Sequence, residues 1–156
     1  MSDICSKENT IYAAMSGING GIFQYANGSW VALLHSSNII QVHGVCTTDT
    51  GLIFTDPIHH KVLLLNNEVV TEYAGSGNLG DLDGPAQTCK LGQVTGIAVE
   101  KKKNVYITDT RYGNVKLLAD PKPTALFLSN LGKMCIAFGI DVSFILSASL
   151  KLWAHQ

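Results

Sequence analysis

Gly80 to Gly84, GDLDG, is the stretch most suggestive of chemistry, because two carboxylates two residues apart beside a glycine could begin an oxygen cage for calcium. An EF-hand loop laid on these residues needs an acidic residue two places before Asp81 and a closing Glu. The chain has Leu79 and Lys90 at those places, so Asp81 and Asp83 are read as residues of a structural turn. His59 and His60 are adjacent, and in an extended strand they point to opposite faces and cannot chelate one ion together. His35 and His43 could join a metal site only if the fold brought them near. Asp56 and Asp109 each close an apolar run, where a carboxylate can accept hydrogen bonds from the turn that follows. A catalytic carboxylate is normally a single event, whereas these two recur in similar surroundings, so both are expected to fix turns.

Lys101, Lys102 and Lys103, with Arg111 and Tyr112, fall in polar stretches between apolar runs, the kind of loop that contacts partners. These five are the expected partner-binding residues, although lysines at a tight turn are more often merely solvated. No nucleophile with an attendant histidine, Gly-rich phosphate loop or acid/base carboxylate pair emerges from the spacing, so no catalytic residue, metal or cofactor is assigned. With a formal net charge of −1 the chain has no global field to attract RNA or an anionic membrane, which makes a protein the leading partner and RNA the lesser one.

The elements that must hold these residues come from a chain with 46% apolar and 15% charged residues, enough to build a core. Its four cysteines, Cys5, Cys46, Cys89 and Cys135, are 41, 43 and 46 residues apart, which excludes the close pairs of metal knuckles and redox motifs. Cys46 is expected to be a small buried side chain, and a disulfide framework has no support from the spacing. Met1 to Met15 lacks the pattern of a signal peptide, which points to the cytoplasm. Ile136 to Leu150 is apolar, but Asp141 interrupts it and it falls short of the roughly 20 residues of a spanning helix.

Residues 1–20 read as a loose lead-in. From Gly21, two apolar runs flank Asn27-Gly28, a dipeptide suited to a two-residue hairpin turn. Gly44 to Asp56 reads as two short strands, and Lys61 to Gly75 as another hairpin, with Asn66-Asn67 at its turn. After the long Gly/Asp loop of Ser76 to Val94, Gly96 to Asp109 repeats the Gly44 to Asp56 pair. Laying Gly44 on Gly96 gives a period of 52, and Asp56 on Asp109 gives 53. A period near 50 carrying four short strands is the pattern of a propeller blade, whose sheet must stack on neighbours to bury its faces. Beyond Leu118 the pattern fails. The apolar residues Phe127, Leu128, Leu131, Met134, Cys135 and Phe138 recur at steps of three and four and predict a helix.

AGSGNLGDLDGPA, VTGIAVE, NVYITDT and NVKLL, spread over Ala74 to Leu118, resemble the NHL repeat family, in which a Gly-rich approach leads to a Gly-Ile-Ala-Val strand and then to a strand ending in Asp. The likeness is closest over Tyr73 to Leu118 and weaker over Gly21 to Gly75. The first copy departs from the second in having Pro57, His59 and His60 where Thr110, Tyr112 and Gly113 stand. The resemblance implies a β-propeller serving as a platform for protein or RNA.

The expectation is therefore an all-β chain, a partial β-propeller of roughly two and a half four-stranded blades over 21–118. Residues 119–156 would be a C-terminal segment, either a helical cap or a non-native end. The expected role is a protein-interaction scaffold without catalysis, the alternative being a propeller-fold hydrolase or lyase using a bound metal. An open arc leaves a sheet face at each end that must be covered by the helix, by further sequence or by self-association that completes the propeller.

Overall fold

The computed structural model describes residues 3–17, 19–35, 41–100, 104–119 and 134–137. Antiparallel hairpins account for nearly all of it. Asn27 and Gly28 have φ of 53° and 83°, the left-handed geometry of a two-residue turn between Gly21–Ala26 (β3) and Ser29–His35 (β4). Two further strands precede them, Asp3–Lys7 (β1) and Thr10–Met15 (β2), completing a four-stranded sheet in the order β1-β2-β3-β4. The expected lead-in over 1–20 is thus half of a sheet. Its Ser, Lys, Glu and Asn content hides the strand pattern, and pairing with β3 supplies what propensity does not.

The second sheet runs Val45–Thr47 (β5), Leu52–Asp56 (β6), Lys61–Asn66 (β7) and Val69–Ala74 (β8), again in chain order. Its last turn is Asn67-Glu68, with φ of 47° and 66°, one residue beyond the expected Asn66-Asn67, because Asn66 still pairs with Val69. The short Gly84–Pro85 (β9) lies in the long loop. The third sheet holds Val94–Val99 (β10), Val105–Asp109 (β11), Asn114–Ala119 (β12) and Met134–Ala137 (β13), with β9 on its outer edge.

Strand β13 overturns the helix expected around Met134 and Cys135. An apolar run fits helix or strand equally, and β12 offers a free edge, along which Met134 pairs with Ala119 and Ala137 with Lys116. The other residues of that expected helix, Phe127, Leu128, Leu131 and Phe138, lie outside the described residues. Among the described residues there is no helix, and so none long and apolar enough to cross a membrane.

The sheets stack face to face in chain order. One core joins Ala14 and Ile22 of the first sheet to Val45, Leu52, Phe54, Leu63 and Leu65 of the second. The other joins Ile53, Val62, Tyr73 and Ala74 of the second to Val94, Val105, Ile107 and Leu118 of the third. Alternation along β6 sends Leu52 and Phe54 to one core and Ile53 to the other, so every residue of β6 is buried. Each such apolar side chain contributes about 1.5–3 kcal/mol by leaving water. β5 packs between β1 and β10. Gly44 permits that approach, since a Cβ there would meet the Thr95 carbonyl and the Ile97 side chain.

The repeat is matched pair by pair. Val45 faces Phe54 as Ile97 faces Ile107, and Cys46 faces Ile53 as Ala98 faces Tyr106. Cys46 and Cys5 are half-buried free thiols, whereas the fully buried Cys89 is disulfide-bonded. Burial, with Cys46 and Asp3 nearby, pushes the Cys5 thiol up to about 12, which keeps it protonated and unreactive at neutral pH.

Candidate functional site

In an antiparallel meander the β6–β7 turn, the loop after β8 and the β11–β12 turn all lie at one end of the stack. The two carboxylates that close β6 and β11 organise this end. Asp109, only 1% exposed, accepts hydrogen bonds from three backbone N–H groups: Gly92 at 2.6 Å, Gln93 at 3.0 Å and Arg111 at 3.2 Å. It thereby fastens the approach to β10 onto the turn after β11. Gly92 suits this contact because a Cβ would collide with the Asp109 carboxylate and the Tyr112 ring.

Asp56, equally buried, has different partners. Its Oδ1 accepts the His59 backbone N–H at 3.2 Å, and its Oδ2 lies 2.6 Å from His59 Nδ1, which donates to it. That contact fixes the imidazole and leaves Nε2 directed elsewhere on a side chain that is 51% exposed. His60 adopts φ of 54°, where the second copy has Gly113 at 67°. Its Nδ1 donates to the Gly92 carbonyl at 2.7 Å, tying the second sheet to the approach of the third.

Asp81 and Asp83 converge on Lys116, whose side chain is fully buried. Its Nζ lies 2.5 Å from Asp81 Oδ1 and 2.9 Å from Asp83 Oδ1, and Asn114 Nδ2 also donates to Asp81. Burial alone would depress the lysine pKa. The hydrogen bonds and charges of the two aspartates outweigh it and hold the ammonium above its ordinary value. Asp81 is correspondingly held below the ordinary carboxylate range by its hydrogen bond from Lys116, against desolvation, with help from Asn114. The GDLDG carboxylates therefore neutralise an internal cation.

Lys116 is the residue that sequence reading missed. It occupies the place of Leu63 in the earlier copy, each being the partner of the third residue of the preceding strand, Phe54 or Ile107. A lysine where the repeat has leucine was the available signal.

Around these polar anchors, Ile58, Leu79, Leu82 and Tyr112 are each at least 40% exposed. Ile58 and Leu79 line an open groove of about 570 Å³, together with Asp56, His59, His60 and the Lys61–Glu72 ion pair. A second groove, about 480 Å³, lies at the opposite end between the first two sheets. It is lined by Lys7, Thr48, Asp49 and Asn67, and Lys7 Nζ donates there to the Thr48 carbonyl at 2.9 Å.

Of the expected partner-binding residues, Arg111 and Tyr112 fall among the described residues and follow the C-terminal end of β11. Lys101, Lys102 and Lys103 lie outside the described residues; Glu100 and Asn104, which flank them in sequence, are joined by hydrogen bonds. Among the described residues no three His, Cys, Asp or Glu side chains converge as metal ligands. Neither family models nor curated proteins match the chain.

Proposed function

We propose that the stacked sheets are blades of a partial, NHL-type β-propeller and that the chain is a protein-binding scaffold whose contact surface is the end bearing Asp56 and Asp109. The observation that carries this reading is the pairing of exposed apolar side chains, Ile58, Leu79, Leu82 and Tyr112, with a backbone held by buried carboxylates. Apolar groups on a preorganised frame lose little conformational entropy when a partner covers them. His59, Arg111 and the Lys61–Glu72 pair supply polar contacts at the rim. The disulfide at Cys89 suits an oxidising compartment better than the cytoplasm.

Selection of peptides from a random displayed library against the intact chain tests the reading. Selected peptides should lose at least tenfold in affinity on the Ile58→Ser, Leu79→Ser variant, about 1.4 kcal/mol, and keep it on Thr50→Ser at the opposite end. Peptides indifferent to the double substitution would refute this location. A preference for RNA, with affinity falling steeply as salt is added, would replace protein with RNA as the partner.

A further inference from the structure

The two terminal sheets expose opposite faces of the same repeating interface, and we infer that the outward face of the first sheet docks on the outward face of the third sheet of a second copy of this chain. These sheet faces are separate from the loop end that bears Asp56 and Asp109.

The equivalence comes from the pairing registers. In the second sheet, Val45, Leu52, Phe54, Leu63 and Leu65 form the face that packs on the first sheet. In the first sheet the same register positions are Ile4, Ile11, Ala13, Phe23 and Tyr25, because Ile4 pairs with Ala13, Ala13 with Phe23, and Ile11 with Tyr25. Among the described residues no sheet packs on this face. Ile4 is 50% exposed where Val45 is 2%, and Ile11 is 36% exposed where Leu52 is 6%. Trp30, its ring centroid 5.1 Å from that of Tyr25 and tilted by 49° to it, is 51% exposed and extends the patch.

The complementary face is also present. The second sheet meets the third through Ile53, Thr55 and Val62. The corresponding residues of the third sheet are Tyr106, Thr108 and Val115, with Ala98 at the position of Cys46. Val115 is 40% exposed where Val62 is fully buried, and Thr108 and Ala98 are exposed. The polar register repeats as well. Thr55 Oγ accepts from Gly44 N at 2.8 Å and donates to the Thr95 carbonyl of the next sheet at 3.0 Å. Thr108 Oγ accepts from Gly96 N at the same 2.8 Å, on a face that no other sheet of the described residues covers.

One copy thus carries a face that needs a preceding sheet and a face that receives a following one. Such an interface is heterologous, joining unlike faces of two copies. A self-complementary contact would join like faces.

The test separates these cases. Ile4→Glu, Ile11→Glu blocks the first face, and Ala98→Glu, Val115→Glu blocks the other. All four positions are exposed, and circular dichroism establishes that each variant is folded. By light scattering, each variant alone should have the monomer mass, and an equimolar mixture should give a species of twice that mass, while the parent chain exceeds the monomer mass. A monomeric parent chain, a mixture that stays monomeric, or either variant pairing with itself overturns the inference. Should the glutamates impair folding, Ile4→Ser, Ile11→Ser and Ala98→Ser, Val115→Ser serve in the same mixing experiment, with the same outcomes.

Discussion

Asp56 and Asp109 close equivalent strands, yet the two corners are wired differently. Asp109 gathers three backbone donors from two segments, so its carboxylate holds chain to chain. Asp56 takes one backbone donor and an imidazole from its own turn, and the link to the next sheet passes instead through His60 to the Gly92 carbonyl. The same contrast recurs one strand later, where Leu63 of the second sheet is replaced by Lys116, with Asp81 and Asp83 supplied by the loop to neutralise it. The repeat conserves geometry, namely the end of a strand and a register position. The chemistry at each place follows from which donors or charges the adjoining loop can deliver.

The largest expected effect concerns the replaced leucine. Asp81→Ala with Asp83→Ala leaves a fully buried ammonium without its carboxylates and should cost about 3–5 kcal/mol in urea denaturation. Adding Lys116→Leu, which restores the residue type of the earlier copy, should recover most of that loss. If the double substitution is neutral, the cluster is not an internal ion pair.

Next comes the contrast between the corners. Asp109→Ala should cost about 2–3 kcal/mol, and Asp56→Ala only about 1 kcal/mol, since the first removes three charge-assisted bonds to backbone and the second chiefly a local contact with a half-exposed ring. Thermal denaturation of both variants checks the order, and equal losses would mean that the corners are equivalent.

The pH dependence sharpens the same comparison. Asp81 has a folded pKa below its ordinary 3.8, so its contribution is present above that value and is lost as pH falls through the lower folded pKa. Lys116 has a folded pKa above its ordinary 10.5, so its contribution is complete below 10.5 and is lost as pH rises through the higher folded value. In the triple variant without this cluster, stability should be flatter at both extremes than in the parent chain, measured by denaturant titration from acid to alkali.

The smallest effect is expected at the second hairpin. Glu68 holds φ of 66° where the first hairpin has Gly28, so Glu68→Gly should raise stability by about 0.5–1 kcal/mol. A lower melting temperature would show that the glutamate side chain makes a contribution the turn geometry does not reveal.

Much of this was legible in the residues. Asn27-Gly28 marked its turn, and the likeness of Gly44–Asp56 to Gly96–Asp109 gave strands whose pairing matches residue for residue. Asp3–Met15 was not legible, because strands of mixed composition declare themselves only when a neighbour supplies their hydrogen bonds. Met134–Ala137 was not either, since the apolar steps of three and four around it read as helix while the four residues themselves fit the open edge of β12 as a strand.

The sequence by itself determined the all-β class, the repeat and the places where strands end in carboxylates, all of which are set by local spacing and turn chemistry. Tertiary structure alone decided that Gly92 and Gln93 reach Asp109, that His60 reaches the Gly92 carbonyl, that Asp81 and Asp83 answer to Lys116, and which sheet faces stay uncovered among the described residues. Those contacts join residues 16 to 40 positions apart, and their formation depends on how whole sheets stack.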